Sequence, residues 1–196
     1  GRGAIAIIRL SGGHTQKVVE KLTGKASPEP RLAALRVLSD PETGDPIDSG
    51  LVLFFQAPHS YTSEDMAELH IHGGVAIVDC ILEVLSQFKE LRPAEPGEFT
   101  KIAFQKGKIN LLKAESIADL ISSETEIQRL QAIKIMRGKS SEKFNELREK
   151  LLKLLSFVEA KIDFPEEDLP EENLKQIKKD SSDVLNEINK ILNDQK

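Results

Sequence analysis

A single cysteine, Cys80, means that no disulfide can close within the chain and no multi-cysteine zinc site can form. It fits a reducing compartment. No apolar run approaches the roughly 20 residues needed to span a bilayer, so a membrane partner is not expected. Basic residues are not in excess: 27 Lys and Arg face 32 Asp and Glu, a net charge of −5, which argues against a dedicated nucleic-acid-coating surface. There is also no initiating methionine. With Gly1 in front, the sequence reads as processed or cut from something longer, and no targeting peptide can be read from it. What is present is a globular composition, 39% hydrophobic and 30% charged, over 196 residues. That length allows one large domain or two modest ones and needs no covalent staple.

The chain changes character near residue 107. All 12 glycines lie between Gly1 and Gly138, where most of them punctuate short apolar runs. Ala4–Leu10, Leu32–Leu38, Leu51–Phe55 and Met66–His72 read as strands. The turn cluster Asp40–Pro46 separates the second from the third. Gly50–Phe55 is apolar on both faces, as suits an interior strand. Helices are expected over His14–Leu22 and over Val75–Phe88, where Val75, Val78, Ile81, Leu82, Leu85 and Phe88 repeat with helical period. Mixed strands and helices indicate an α/β or α+β domain. After Asn110 the strand signal is missing. A long helix is expected over Leu111–Met136, capped by Asn110. A second follows Gly138 through Phe144, Leu147, Leu151, Leu154, Val158 and Ile162, then an acidic connector at Pro165–Glu172. A last one runs from Leu174 to the end of the chain, without a C-cap glycine, as if it continued. This half reads as an antiparallel helical bundle.

Four motifs bear on chemistry. Gly138-Lys139-Ser140 looks like the tail of a phosphate-binding P-loop, but Ile133 stands where the first glycine is needed and a helix precedes it. It is read as a helix break, so the chain holds no nucleotide triphosphatase site. Glu68, His70 and His72 alternate with Leu69 and Ile71, which on a strand places the three polar groups on one face. They could bind a divalent metal, but a polar strand face lining a pocket or interface is the stronger reading, and no metal site is assigned. Pro96-Gly97-Glu98-Phe99 opens a short helix whose amides could meet an anion, or else simply forms a tight loop. Lys106-Gly107-Lys108 is a small basic turn suited to a carboxylate or phosphate. Arg9 ends an otherwise apolar strand and needs a partner, either a carboxylate such as Glu68 or an acidic ligand.

Gly1–Gly12, Ala57–Gly74, Arg92–Leu112, Ala114–Glu124 and Val158–Pro165 together resemble, in order and with matching gaps, the N-terminal part of the MnmE or TrmE family of tRNA modification GTPases. The mitochondrial members are of the GTP-binding protein 3 type, and the stretch over 50–75 leans slightly toward these rather than toward a bacterial cytoplasm. The resemblance implies a folate-binding and dimerising α/β domain over 1–107, similar to the tetrahydrofolate-binding domain of aminomethyltransferases. The first part of an all-α helical domain follows over 108–196. It implies a tRNA substrate, a homodimer and a flavin-containing MnmG-type partner, FAD being that partner's cofactor. The reaction adds an aminomethyl-type group at C5 of the wobble uridine. The one-carbon donor is 5-formyl- or methylene-tetrahydrofolate, and the family's folate contacts fall on Arg9, Glu68 and Lys108. No catalytic residue is carried over, and nothing is carried onto His70. GTP, Mg and K are expected only on a GTPase domain that this sequence does not contain. The family's first strand would precede Gly1, which would leave a sheet edge open. Cys80 does not correspond to the family's C-terminal cysteine and reads as core filler. The rival expectation is a dimerisation or docking scaffold with a degenerate folate pocket.

Overall fold

The computed structural model describes residues 3–163 and 171–193. The chain forms two compact units, Gly1–Ala114 and Glu115–Lys196.

In the first unit, β1 (Ile5–Ser11), β2 (Ala34–Ser39), β3 (Pro46–Phe55) and β4 (Met66–His72) form one sheet in the order β1-β4-β3-β2. Every pairing is antiparallel, so the domain is α+β rather than a parallel α/β fold. The doubly apolar stretch of β3 is an interior strand, as its composition required. β3 begins earlier than its apolar run because Pro46 tolerates only the first place in a strand. The β2–β3 turn is fixed by Asp40, whose carboxylate accepts the Glu42 N–H at 2.7 Å, while Gly44 takes a φ of 79°.

Helices α1 (Thr15–Thr23) and α2 (Val75–Ser86) cover one face of this sheet. Val18, Val19 and Leu22 from α1 and Ile81, Val84 and Leu85 from α2 meet Leu38, Val52, Phe54, Ala67, Leu69 and Ile71 from the strands. Val52, Leu69 and Ile81 lose all exposure, which stabilises by roughly 1.5–3 kcal/mol each. The buried face of α2 is narrower than its apolar spacing suggests, since Val75 and Leu82 point to solvent and Cys80 is half-buried. The strict alternation of β4 matters most for function. Burying Ala67, Leu69 and Ile71 under the helices forces Glu68, His70 and His72 onto the opposite face. Short helix α3 (Glu98–Gln105) completes this unit, and α4 (Leu111–Ser122) begins within it.

The helix expected over Leu111–Met136 is two helices, α4 and α5 (Glu126–Met136). The break has a local cause. Thr125 is extended, at φ −120° and ψ 155°, and forms a capping box with Gln128. The Thr125 hydroxyl accepts the Gln128 N–H at 3.3 Å, and the Gln128 carbonyl accepts the N–H groups of Thr125 and Glu124 at 3.0 and 2.9 Å. Asn110 caps α4 as expected, its carbonyl oxygen accepting the Lys113 N–H at 2.9 Å. Gly138, with φ 90°, separates α5 from α6 (Lys139–Asp163). A helix therefore precedes Gly138-Lys139-Ser140, which excludes a P-loop there. Most of the connector expected at Pro165–Glu172 lies outside the described residues. Helix α7 (Glu171–Asn193) packs on α6 through Leu147, Leu154 and Val184, with Ile177, Ile188 and Ile191 around them. Lys150 donates to Glu187 at 2.6 Å across that pair. No strand occurs after Asn110 among the described residues.

Candidate ligand-binding site

The uncovered face of the sheet carries the polar chemistry. Register places Arg9 on β1 directly opposite Glu68 on β4, so the arginine finds its partner across one ladder rung. Its Nε and Nη2 both donate to Glu68 Oε1, at 3.0 and 2.8 Å. On the other oxygen, His70 Nε2 lies 3.2 Å from Glu68 Oε2. Glu68 is only 17% exposed, and burial by itself pushes its carboxyl up. The hydrogen bonds from His70 and Arg9, with their charges, outweigh that and hold it below the usual carboxylate range. The site therefore presents an ionised carboxylate, clamped on both oxygens. The Arg9 guanidinium also lies 5.7 Å from the centre of the Phe99 ring, which α3 contributes.

The loop between β3 and β4 closes one side. Ser11, next but one to Arg9, hydrogen-bonds the Thr62 hydroxyl at 2.6 Å and donates to Glu64 at 3.3 Å. The Tyr61 hydroxyl and Thr100 Oγ1 lie 2.9 Å apart, which ties the loop to α3 one residue beyond Phe99. The Ala57 N–H is accepted by Asp65 at 2.8 Å, so a carboxylate pins the loop's start to its end. Lys108 donates to the carbonyl oxygens of Pro58, at 3.3 Å, and of Ser60. The Ser60 hydroxyl beside it is buried and has no hydrogen-bond partner among the described residues. Arg9 and Glu68 are thus brought together, whereas Lys108 borders the same loop and makes no hydrogen bond or ion pair with either of them among the described residues. In the basic turn, Lys106 meets the Glu64 carboxylate at 3.6 Å.

His72 does not join the other two polar groups of its strand. Its backbone N–H and its Nδ1 meet the Asp48 carboxylate, both at 2.8 Å. Among the described residues no group of three or more metal-capable side chains converges. The loop before α3 likewise has its own anion. The Glu98 carboxylate accepts from Arg92, and from the Glu95 N–H at 2.7 Å, so the tight-loop reading holds rather than an anion site. Those contacts hold the Glu98 carboxyl down at about 2 against its ordinary 4.5. A pKa lower in the folded state contributes stability above pH 4.5, and the contribution fades as the pH falls toward 2. The stability gap between wild type and Glu98→Gln should therefore be widest above pH 5 and close on acidification, as measured by urea unfolding at a series of pH values.

Around the clamp the sheet face is apolar. One row across the strands reads Ile7, His70, Leu51, Leu35, and Ile7, Leu35 and Leu51 are 54%, 67% and 42% exposed. Ile5 and Val37 flank it, also exposed. The sequence pointed to Arg9, Glu68 and Lys108, and placed His70 on the polar strand face with Glu68 without giving it a role; the places of Phe99, Tyr61 and Ser60 in the site were not read from it. Of these last four only His70 carried a local signal, its place two residues from Glu68 on the same strand face.

Residues 1–108 match the family model described as GTP-binding protein TrmE N-terminus, and residues 111–196 match the MnmE helical domain. Over 196 residues the chain is 63% identical to the tRNA modification GTPase MnmE of Pelagibacter ubique, using 100% of this chain and 44% of that protein. It is 44% identical over 194 residues to the protein of the same name from Parvibaculum lavamentivorans, with 99% and 44% coverage. The Rickettsia prowazekii protein of that name is 41% identical over 194 residues, again with 99% and 44% coverage. The chain thus spans about 44% of the length of these relatives.

Proposed function

Because the chain belongs to the MnmE/TrmE family, we propose that it is the folate-binding, dimerising part of a tRNA modification GTPase, with residues 1–107 as the binding domain and 108–196 as the first part of the helical domain. The observation that carries this reading is the ionised Glu68 carboxylate held between Arg9 and His70 on an open sheet face. A reduced pterin offers an amino group and a ring N–H, both donors that a carboxylate accepts, and a folate tail offers carboxylates for Arg9 or Lys108. Phe99 adds an aromatic face beside Arg9, and the Ser60 hydroxyl, without a hydrogen-bond partner among the described residues, offers a buried donor or acceptor beside Lys108. When bound, 5-formyl- or methylene-tetrahydrofolate would supply the one-carbon unit. The protein's own contribution is to bind and orient it through Arg9, Glu68 and Lys108. The likeness of this domain to the tetrahydrofolate-binding domain of aminomethyltransferases belongs to the same reading.

In the whole protein, GTP hydrolysis with Mg and K would lie on a domain beyond these residues. The product would be an aminomethyl-type group at C5 of the wobble uridine of tRNA, made with an FAD-containing MnmG-type partner. The named relatives are bacterial, so we place the protein in a bacterial cytoplasm rather than in a mitochondrion. Among the described residues no helix is long and apolar enough to cross a membrane.

Calorimetry with 5-formyltetrahydrofolate tests the reading. Wild type is expected to bind one folate per chain, and Arg9→Ala to weaken binding by about 10-fold, the worth of one charge-assisted hydrogen bond. No heat from the wild type would sink the proposal. The exposed apolar row through Leu35 and Leu51 favours a second reading, a dimerisation scaffold. A dimer in sedimentation that ignores folate, together with silent calorimetry, would select it.

A further inference from the structure

We infer that His70 is a positioning residue for Glu68: its imidazole N–H holds Oε2, keeping the carboxylate aimed at a bound pterin while Oε1 passes from Arg9 to the ligand. The inference rests on the folate reading of this site and deepens it. A carboxylate has about four acceptor positions, two on each oxygen. Arg9 fills both positions on Oε1, through Nε at 3.0 Å and Nη2 at 2.8 Å, and His70 fills one on Oε2 at 3.2 Å. One position remains. A pterin edge that presents two adjacent N–H donors needs one acceptor on each oxygen, so a donor on Oε1 must withdraw.

Arg9 is the group able to withdraw. It is 44% exposed and has the Phe99 face 5.7 Å away on which to rest. His70 is placed to stay. It lies on β4, an interior strand bonded on both sides, with Ile7 and Leu51 as its cross-strand neighbours. Neither neighbour offers it an alternative hydrogen bond. The charged groups on the flanking strands are Arg9 on β1 and Asp48 on β3, and Asp48 is already committed to His72. Glu68 is therefore the acceptor within reach, and against a carboxylate His70 Nε2 must carry the hydrogen. Once Arg9 moves off, His70 is the only remaining donor among those that now hold Glu68. Without it the side chain is free to rotate, and the ordering cost falls on the ligand.

The chemistry required of residue 70 is one N–H donor at the reach of an imidazole Nε2. Glutamine supplies that, and leucine fills similar space without it. His70→Leu is expected to weaken 5-formyltetrahydrofolate binding by about 10- to 50-fold, the worth of a hydrogen bond to a charged group, and His70→Gln to stay within about threefold of wild type. A structural role would instead move both variants together with the melting temperature. Ligand-free NMR gives an independent arm. Wild type should show an exchange-protected, downfield His70 Hε2 that vanishes in Glu68→Leu. Equal affinity of His70→Leu and wild type, or an Hε2 signal indifferent to Glu68→Leu, overturns the inference. If wild type binds no folate, the folate reading falls, and the NMR arm decides by itself whether His70 positions Glu68.

Discussion

Glu68→Gln is expected to leave the fold almost untouched while weakening 5-formyltetrahydrofolate binding by about 100-fold. The two effects separate because β4 keeps its packing and its chemistry on opposite faces. Ala67, Leu69 and Ile71 carry the core contacts, and Glu68 shares none of them. What the fold loses is an ion pair to a guanidinium that is 44% exposed, and such pairs contribute about 0–1 kcal/mol. The ligand loses more. Glutamine has one acceptor oxygen and turns an N–H₂ group toward the place of the second, so one pterin donor meets another donor. A missing charge-assisted hydrogen bond costs about 1.5–3 kcal/mol, and an unpaired donor in the site adds to it, which together reach two decades of affinity. Calorimetry and a thermal melt on the same sample check both halves. A variant that binds as tightly as wild type would remove Glu68 from the site. A variant that melts far lower would mean that Glu68 is structural after all.

How much of this was legible beforehand depends on the range over which each feature is specified. The strands, the α2 helix and the split of polar and apolar faces on β4 are written in local periodicity, and all are present, although β3 starts at Pro46 rather than Leu51 and α2 ends at Ser86 rather than Phe88. Arg9 demanded a partner because a charge closes an apolar strand, and Glu68 was a reasonable choice. That the two are directly opposite depends on a register between residues 59 positions apart, which no local pattern contains. Phe99 and Tyr61 enter the site through loop closure and were invisible for the same reason. The α4–α5 break was different. Thr125 and Gln128 stand at capping-box spacing within Leu111–Met136, a local signal that the single helix expected there does not take into account. Lys108 was placed by family resemblance, and its contacts with Pro58 and Ser60 tie it to the loop rather than to the clamp.

The largest stability loss is expected from the smallest side chain that can be added to the sheet, Gly50→Ala. Gly50 lies in β3, buried, where the strand passes β4 beside the backbone of His70. A Cβ there would stand 2.2 Å from the His70 carbonyl oxygen and 3.2 Å from its carbon. The obstacle is backbone in an interior strand, so no rotamer change relieves it. The strands must part by on the order of 1 Å, which weakens the ladder from Leu51 to Phe55 and opens the core over Val52 and Leu69. Overpacking of this kind costs about 1–3 kcal/mol, and in a unit of this size each kcal/mol lowers the melting temperature by about 4–8 °C. A fall of about 10 °C in the first unit's transition is the expected result, read by scanning calorimetry. The same shift moves the His70 backbone and hence the imidazole on Glu68, so folate affinity should fall along with it. That sets Gly50→Ala apart from Glu68→Gln, which changes binding alone. A melting temperature within about 2 °C of wild type would mean that β3 and β4 have room to spare at His70, and with it that the clamp on Glu68 is less rigidly held than the close approach at Gly50 implies.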